Sequence, residues 1–448
     1  MVPENAPLLV LISNTFPVLR MFRRMEPLFA EEGYRVRLAV DSWRTFQQGE
    51  LTDDHWDYIG TVPADGAGKI SDEEFKFAQE ALRQDAPRRT RDPRNPDAFA
   101  RTAIVAVKRL MDDWKPAGLV FWNGQSFWHQ LLAREAKSRS IPVCYMENGY
   151  FPGTVAVDAE GINYGSATLK SKPPTEFDAE RIQAFVHELQ SAQLENRVPP
   201  RLAKEPEIAA VLTQHERNLV LASLNPFLAD DKRLNAGSLT KKIQYALGRK
   251  KYFAETVGAQ SPELPTEKTV FLPLQVSNDT QITLYSPWIK NLEQSVEATI
   301  RAMPEGYSLI VRDHPEDRRN RSYTQIIDMV QRAGAYWAPT QPLLPIIQNA
   351  DAIVTVNSTV GFEGLLWGKP VVTLGQAFYE GPGGSQGARS ESELKEALKR
   401  AVSEPIDTVA RERLLSHIAF GTHCRGGLGH LDANDQREAV QWILKAIR

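Results

Sequence analysis

Short apolar runs alternate with helix-spaced segments twice along this chain, and a long polar stretch separates the two series. In the first series Leu8–Ser13 is an apolar run with a polar break after it. Val18–Glu32 has helical spacing and stops at Gly33, and Arg35–Val40 alternates like a strand. Residues 71–84 and 96–114 read as helices on either side of DAPRRTRDPRNPD. Gly118–Trp122 and Pro142–Met146 then flank a helix near 126–140. Such βαβ alternation predicts a parallel sheet covered by helices.

The middle differs. Residues 176–222 read as two long polar helices, and Ala229–Pro265 is rich in Lys, Gly, Ser and Pro, which suits an interdomain region. The second series has buried strands at Thr269–Leu274, Tyr307–Arg312, Ala352–Val356 and Pro370–Leu374. Helices fill 284–302, 321–333, 342–349, 359–367 and 391–403, and a final one covers 434–447. The expected architecture is α/β, with two Rossmann-like domains facing a cleft at the carboxyl ends of their strands, where ligands bind in such sheets. We expect a first domain over 1–250, a second over 251–430, and a C-terminal helix at 431–448 packing back on the first.

Bulk properties narrow the field. A length of 448 residues fits two or three domains, and 42% hydrophobic content supplies buried cores. A net charge of −3 gives no field for nucleic acid. The opening MVPENAPLLVLIS has no basic leader, so it reads as a first strand and not a signal peptide. No run approaches the ~20 apolar residues of a membrane span. The only cysteines, Cys144 and Cys424, point to a reducing, cytoplasmic setting.

Four segments can carry chemistry. In VTVNSTVGFEGLLWGKPVVTLG (354–375) a strand ends and Asn357, Ser358 and Thr359 lead into a helix. Free N–H groups and hydroxyls at a helix N-terminus suit a phosphate, with roughly 0.3–1 kcal/mol from the helix dipole. Glu363, one turn in, can grip ribose hydroxyls; ordinary N-capping with a solvated Glu363 is the plain alternative. In SLIVRDHPED (308–317) a strand delivers Arg312, Asp313, His314 and Pro315 to its carboxyl end. A histidine there can donate to a phosphate or protonate a leaving group, and Pro315 keeps His314 extended. FLPLQVSNDTQI (271–282) puts Gln275 and Asp279 after a buried strand; Asp279 can act as nucleophile, or the segment is an Asx-turn. VCYMENGYFPGTVAVDAEGINYGS (143–166) sets Glu147 before the turn pair Asn148-Gly149. Glu147 opposite Asp279 would make the two-carboxylate pair that serves glycosyl chemistry.

Other features weigh less. His417, His423, Cys424 and His430 match no standard zinc spacing. KKIQYALGRKKYF (241–253) can touch anionic lipid or be a solvated face. No P-loop, dinucleotide fingerprint or D-x-D triplet occurs, and a donor held by His and N–H groups needs no metal.

Taken together, LPLQVSNDTQI, RDHP, VNSTVGFEGLLWGKPVVTLG and ENGYFPGTVAVDAEGINYGS resemble the retaining β-Kdo glycosyltransferases of bacterial capsule and lipopolysaccharide assembly. The resemblance covers about 80 residues between 143 and 375, and its order and joint presence are more specific than any one motif. It implies a GT-B-type pair of domains, CMP-Kdo as donor and no cofactor or metal. It implies Asp279 as nucleophile, His314 beside the donor phosphate and Glu147 as acid/base. It assigns Gln275, Arg312, Pro315, Asn357, Ser358, Thr359 and Glu363 to the donor. The implied acceptor is a saccharide or lipid-linked glycan, with work on the cytoplasmic side, peripheral contact with the inner membrane and capsule or O-antigen assembly proteins as partners. Another nucleotide-sugar enzyme of the same architecture (an epimerase or a polyol-phosphate transferase) and a non-catalytic nucleotide-binding scaffold are the alternatives.

Overall fold

The computed structural model describes residues 2–41, 56–59, 70–86, 93–166, 169, 171–195, 255–256, 259–261, 263–277, 280–315, 317, 321–426 and 433–448. These residues form two compact units. The described residues up to 166 make the first unit together with 422–448, and 169–195 make the second together with 255–421.

In the first unit β1 (Leu8–Ser13), α1 (Phe16–Glu31), β2 (Arg35–Val40) and β3 (Trp56–Tyr58) lead into α2 (Asp72–Asp85) and α3 (Pro96–Trp114). β4 (Gly118–Trp122), α4 (Phe127–Ser138), β5 (Val143–Asn148) and β6 (Thr154–Asp158) come next. The strand order is β3-β2-β1-β4-β5-β6, and a late strand β13 (His423–Arg425) closes the far edge. The strands from β3 to β5 run parallel; β6 is antiparallel to β5, and β13 to β6. Alternate residues of a strand face opposite helical layers. Leu119 and Phe121 of β4 pack with α2, α3 and α4, while Val120 and Trp122 pack with α1 and the last helix, α13 (Ala433–Ile447). That two-sided burial is why the strands read as unbroken apolar runs. The local chemistry agrees: a Ser71/Glu74 capping box starts α2, and Asn95 with Pro96 starts α3.

The second unit repeats the plan. Its elements are α5 (Ala179–Leu194), β7 (Thr269–Pro273), α6 (Thr280–Tyr285), α7 (Leu292–Ala302), β8 (Ser308–Arg312), α8 (Thr324–Arg332) and β9 (Tyr336–Trp337). Then come α9 (Leu343–Asn349), β10 (Ala352–Thr355), α10 (Thr359–Leu366), β11 (Val371–Thr373), β12 (Gln386–Gly387), α11 (Glu391–Ser403) and α12 (Thr408–Thr422). Its strands are all parallel, in the order β9-β8-β7-β10-β11-β12. Counted from β7 this is 3-2-1-4-5-6, a common doubly wound order, with its switch point between β7 and β10.

Two boundaries differ from expectation. α5 was expected within the first domain but packs in the second unit. There Gln190 Nε2 donates to the Leu366 carbonyl at 2.7 Å, Trp367 Nε1 donates to Gln193 Oε1 at 3.0 Å, and Phe185 meets Phe420. Conversely β13, expected in the second domain, completes the first sheet. Chain order hides both crossings, because neither α5 nor β13 carries a local mark of the unit it joins. Of the expected interdomain region Ala229–Pro265, residues 229–254, with the basic run 241–253, lie outside the described residues. The C-terminal helix packs against α1, β5 and β6.

β13 also anchors the turn after β5. His423 is buried, and its Nε2 accepts the Tyr150 N–H at 3.1 Å while Nδ1 faces Thr422 Oγ1 at 3.0 Å. An N–H can only donate, so Nε2 is the bare nitrogen and Nδ1 carries the proton. His423→Ala strands a buried N–H and opens a cavity beside the Tyr150 and Phe151 rings. We expect it to cost about 3 kcal/mol, read as a lower urea midpoint; an unchanged midpoint would show that the anchor contributes nothing.

Candidate functional site

The carboxyl ends of β10, β7 and β8 lie side by side, with neighbouring strands ~4.8 Å apart. Each of these strands gives way to a polar segment. After β7, Leu274 N–H bonds the Arg312 carbonyl at 2.8 Å, and Gln275 is turned toward the end of β10. There two amides hold each other across the switch point. Gln275 Nε2 donates to Asn357 Oδ1 at 3.1 Å, and Asn357 N–H donates to Gln275 Oε1 at 3.0 Å. Asn357 Nδ2 in turn donates to the Gln376 carbonyl at 3.3 Å, after β11. Both amides are buried, so much of their bonding capacity is spent on fixing three loops to one another.

Ser358 is the N-cap of α10, its hydroxyl accepting the Val360 N–H at 3.2 Å. The cap and a ligand role are compatible. A hydroxyl has two lone pairs and one proton, and capping uses only a lone pair. Thr359 comes next as the first helical residue, half-buried beside it. The corner is held from behind by Tyr379, which is fully buried and donates to the Ser358 carbonyl at 2.6 Å. Burial first, and then the charge of Glu380, push the Tyr379 phenol well above its usual range, so it stays a donor. Its approach requires Gly361: a Cβ there would lie 2.5 Å from the Tyr379 oxygen. Glu363 is half-buried one turn further along α10.

After β8, Arg312 is half-buried and its Nε donates to the Gln341 carbonyl at 3.1 Å. Asp313 is buried, His314 half-buried and Pro315 exposed. The turn closes with Asp317 N–H on the His314 carbonyl at 3.0 Å. Asp317 has no exposed surface; Ser277 Oγ donates to its Oδ1 at 2.9 Å and Tyr323 Oη to its Oδ2 at 2.9 Å. Thus the second unit brings Gln275, Arg312, His314, Asn357, Ser358 and Thr359 to adjoining strand ends. Asp279 lies outside the described residues.

Glu147 belongs to the first unit, on β5. Its carboxylate accepts Asn123 Nδ2 at 2.5 Å on Oε2, and the Asn148 N–H at 2.9 Å and Nδ2 at 3.3 Å on Oε1. Asn123 comes just after β4 with φ of 71°, and Gly124 is next with φ of 73°. A Cβ on Gly124 would fall 2.4 Å from the Tyr145 ring, so the tight turn that aims Asn123 needs glycine twice over. Three donors on one carboxylate fix its direction.

Sequence reading gave no site role to Asn123, Ser277, Asp317, Tyr323 and Tyr379, although Ser277 stands in the polar run read after the β7 strand. Asn123-Gly124 after an apolar run was a visible turn signal. The other four are polar residues whose roles arise only from tertiary contact. Of the discounted histidines, His417 meets Ser171 in the second unit, His423 is the anchor described above, and His430 lies outside the described residues. Among the described residues no group of three His, Cys, Asp or Glu side chains is arranged to hold a metal ion. No described helix is long and apolar enough to cross a membrane.

The sequence pattern of the capsule polysaccharide biosynthesis protein family matches residues 118–420. The chain belongs to that family. The matched span runs from β4 through most of α12 and includes every candidate residue named above. Among relatives of this capsule polysaccharide biosynthesis family member, Protein FixF of Sinorhizobium fredii is 24% identical over 269 residues, 60% of this chain and 50% of its own. The capsule polysaccharide export protein KpsS of Escherichia coli is 24% identical over 264 residues, 56% of this chain and 65% of its own. The capsule polysaccharide modification protein LipA of Neisseria meningitidis is 34% identical over 149 residues, 32% of this chain and 21% of its own. The chain thus spans about half the length of FixF and under two thirds of KpsS. Among solved structures, the β-Kdo 2,7 transferase of Thermosulfurimonas dismutans KpsC aligns at TM-score 0.37 and 15% identity, over 77% of this chain and 89% of its own. A UDP-GlcNAc 2-epimerase from Neisseria meningitidis aligns at TM-score 0.32 and 12% identity, over 98% of this chain and all of its own.

Proposed function

We propose that this chain is a retaining glycosyltransferase that moves Kdo from CMP-Kdo to a saccharide or glycolipid acceptor in β linkage, without a metal. Its setting is bacterial surface-polysaccharide assembly on the cytoplasmic side, in peripheral contact with the inner membrane. The observation that carries the reading is the Gln275–Asn357 lock at the switch point of the second unit, which fixes the Ser358–Thr359 corner at the N-terminus of α10. Such a corner is a preorganised anion site, and nucleotide phosphates are among the ligands that bind at the switch point of sheets wound this way. Family membership supplies the polysaccharide context.

In this reading the α10 N-terminus and the Ser358 and Thr359 hydroxyls hold the CMP phosphate, and Glu363 takes the ribose. Gln275, Asn357 and Pro315 shape the loops around the donor. Kdo carries a carboxylate next to its anomeric carbon, so the donor brings two negative charges, and Arg312 with His314 offsets part of them. The Asp279 carboxylate attacks the anomeric carbon, and the bond to the phosphate oxygen breaks with its electron pair leaving on CMP. The acceptor hydroxyl then displaces Asp279 from the opposite face while Glu147 takes its proton. Two inversions give net retention.

Titration calorimetry tests the donor side. CMP is expected to bind with micromolar to millimolar affinity, equally with and without a chelator. Replacing Ser358 and Thr359 together by alanine should weaken it about a hundredfold, two lost charge-assisted bonds at about 1.5 kcal/mol each. Heat with UDP but none with CMP rules out the Kdo assignment. An unchanged dissociation constant in the double variant removes the phosphate assignment.

A further inference from the structure

We infer that Asp317 is a positioning residue of the donor site, tying the loop after β7 to the turn after β8 and so setting His314 against the donor phosphate. The inference rests on the donor-site reading above and adds a residue that reading does not use. Asp317 is wholly buried, and its carboxylate joins three separate segments. Oδ1 takes the hydroxyl of Ser277, four residues beyond the end of β7. Oδ2 takes the phenol of Tyr323, at the start of α8. Its own N–H closes the 314–317 turn on the His314 carbonyl. Whatever holds Asp317 therefore holds the backbone that carries His314.

Tyr323 is suited to this role. Burial first, and then the charge of Asp317, raise its phenol far above the usual range, so it remains a hydrogen-bond donor. Hydrogen bonds to a charged acceptor are the stronger kind, and their directionality fixes a geometry that apolar packing leaves loose. Burying a carboxylate costs free energy that an apolar residue of similar size would not. That cost is explained if the return is a set position for two loops at a reacting centre. Asp317 is no substrate contact in this reading; it acts through His314, whose turn it closes.

A double-mutant cycle on CMP affinity tests the inference, read by calorimetry on the whole chain. Ser277→Ala removes one arm of the lock and is expected to weaken CMP about tenfold, and His314→Ala more. If the lock acts through His314, the double variant binds no worse than His314→Ala alone. Asp317→Asn should behave as Ser277→Ala does, with a larger effect. If that variant fails to fold, Ser277→Ala and Tyr323→Phe carry the test, each losing one hydroxyl and keeping its shape. Additive losses, or an unchanged affinity in Ser277→Ala, overturn the positioning role while leaving the donor site standing. Wild-type protein that gives no heat with CMP removes the donor-site reading itself, and the inference with it.

Discussion

Glu147→Gln is expected to lower turnover about a thousandfold while leaving CMP affinity within about twofold. General base catalysis typically supplies 10²–10⁴ in rate, and a thousandfold is about 4 kcal/mol of barrier. The substitution keeps the shape of the side chain and removes its basicity. It also disturbs a local network. Glu147 faces donors on both oxygens, Asn123 Nδ2 on one side and the Asn148 N–H on the other. A glutamine can satisfy only one of them and must point an N–H at the second, which costs roughly 1 kcal/mol of stability. Thermal unfolding separates that cost from the catalytic loss. Single-turnover product formation, read by mass spectrometry with a CMP-Kdo generating system and candidate acceptors, gives the rate. Turnover within tenfold of wild type would take the acid/base role away from Glu147, and a parallel loss of CMP affinity would assign it to donor binding instead.

Gly361→Ala should damage the Ser358–Thr359 corner of the second unit severely. The new methyl would sit 2.5 Å from the Tyr379 hydroxyl and 2.9 Å from Thr355 Cγ2. Tyr379 has little room to retreat, being buried against the Phe362 and Phe378 rings. Overpacking of this kind costs typically 1–3 kcal/mol, and loss of the bond to the Ser358 carbonyl adds about 1 more. We expect a fall of about 2–4 kcal/mol in unfolding free energy and at least tenfold weaker CMP binding, because the displaced carbonyl belongs to the corner assigned to phosphate. The mechanism has its own control. Tyr379→Phe removes the oxygen that the methyl meets, so the double variant should be more stable than the sum of the two single losses. Strict additivity would show that the damage arises elsewhere.

The framework of both units could be read from the residues because their strands are buried on both faces. Leu8–Ser13, Thr269–Pro273 and Ala352–Thr355 announce themselves as apolar runs, and α3 and α11 start and stop where capping and spacing require. The elements that escaped were short, edge-lying or tertiary. β3, β9, β12 and β13 have two or three residues each, too few for a period to show. β6 is hidden because its TVAVD run comes after a turn that also fits a loop. The single helix expected over 284–302 is two, α6 and α7, with Pro287 between them and Asn291 capping the second. α12 was not foreseen, since its apolar and charged residues are spread around the helix without a clear face. The site divides in the same way. His314, Ser358 and Glu147 stand at strand ends, where residue type and position together suggest chemistry. Asp317 and Tyr379 act from behind, and a buried carboxylate or phenol has no signature until its partners are known.

The late return of β13 and α13 to the first unit bears on how the molecule is made. The ribosome releases every strand of the second unit before the edge strand and covering helix of the first exist. The second unit's sheet is therefore synthesised in full while the first still lacks the final cover of its β6 edge and of the α1 side of its sheet.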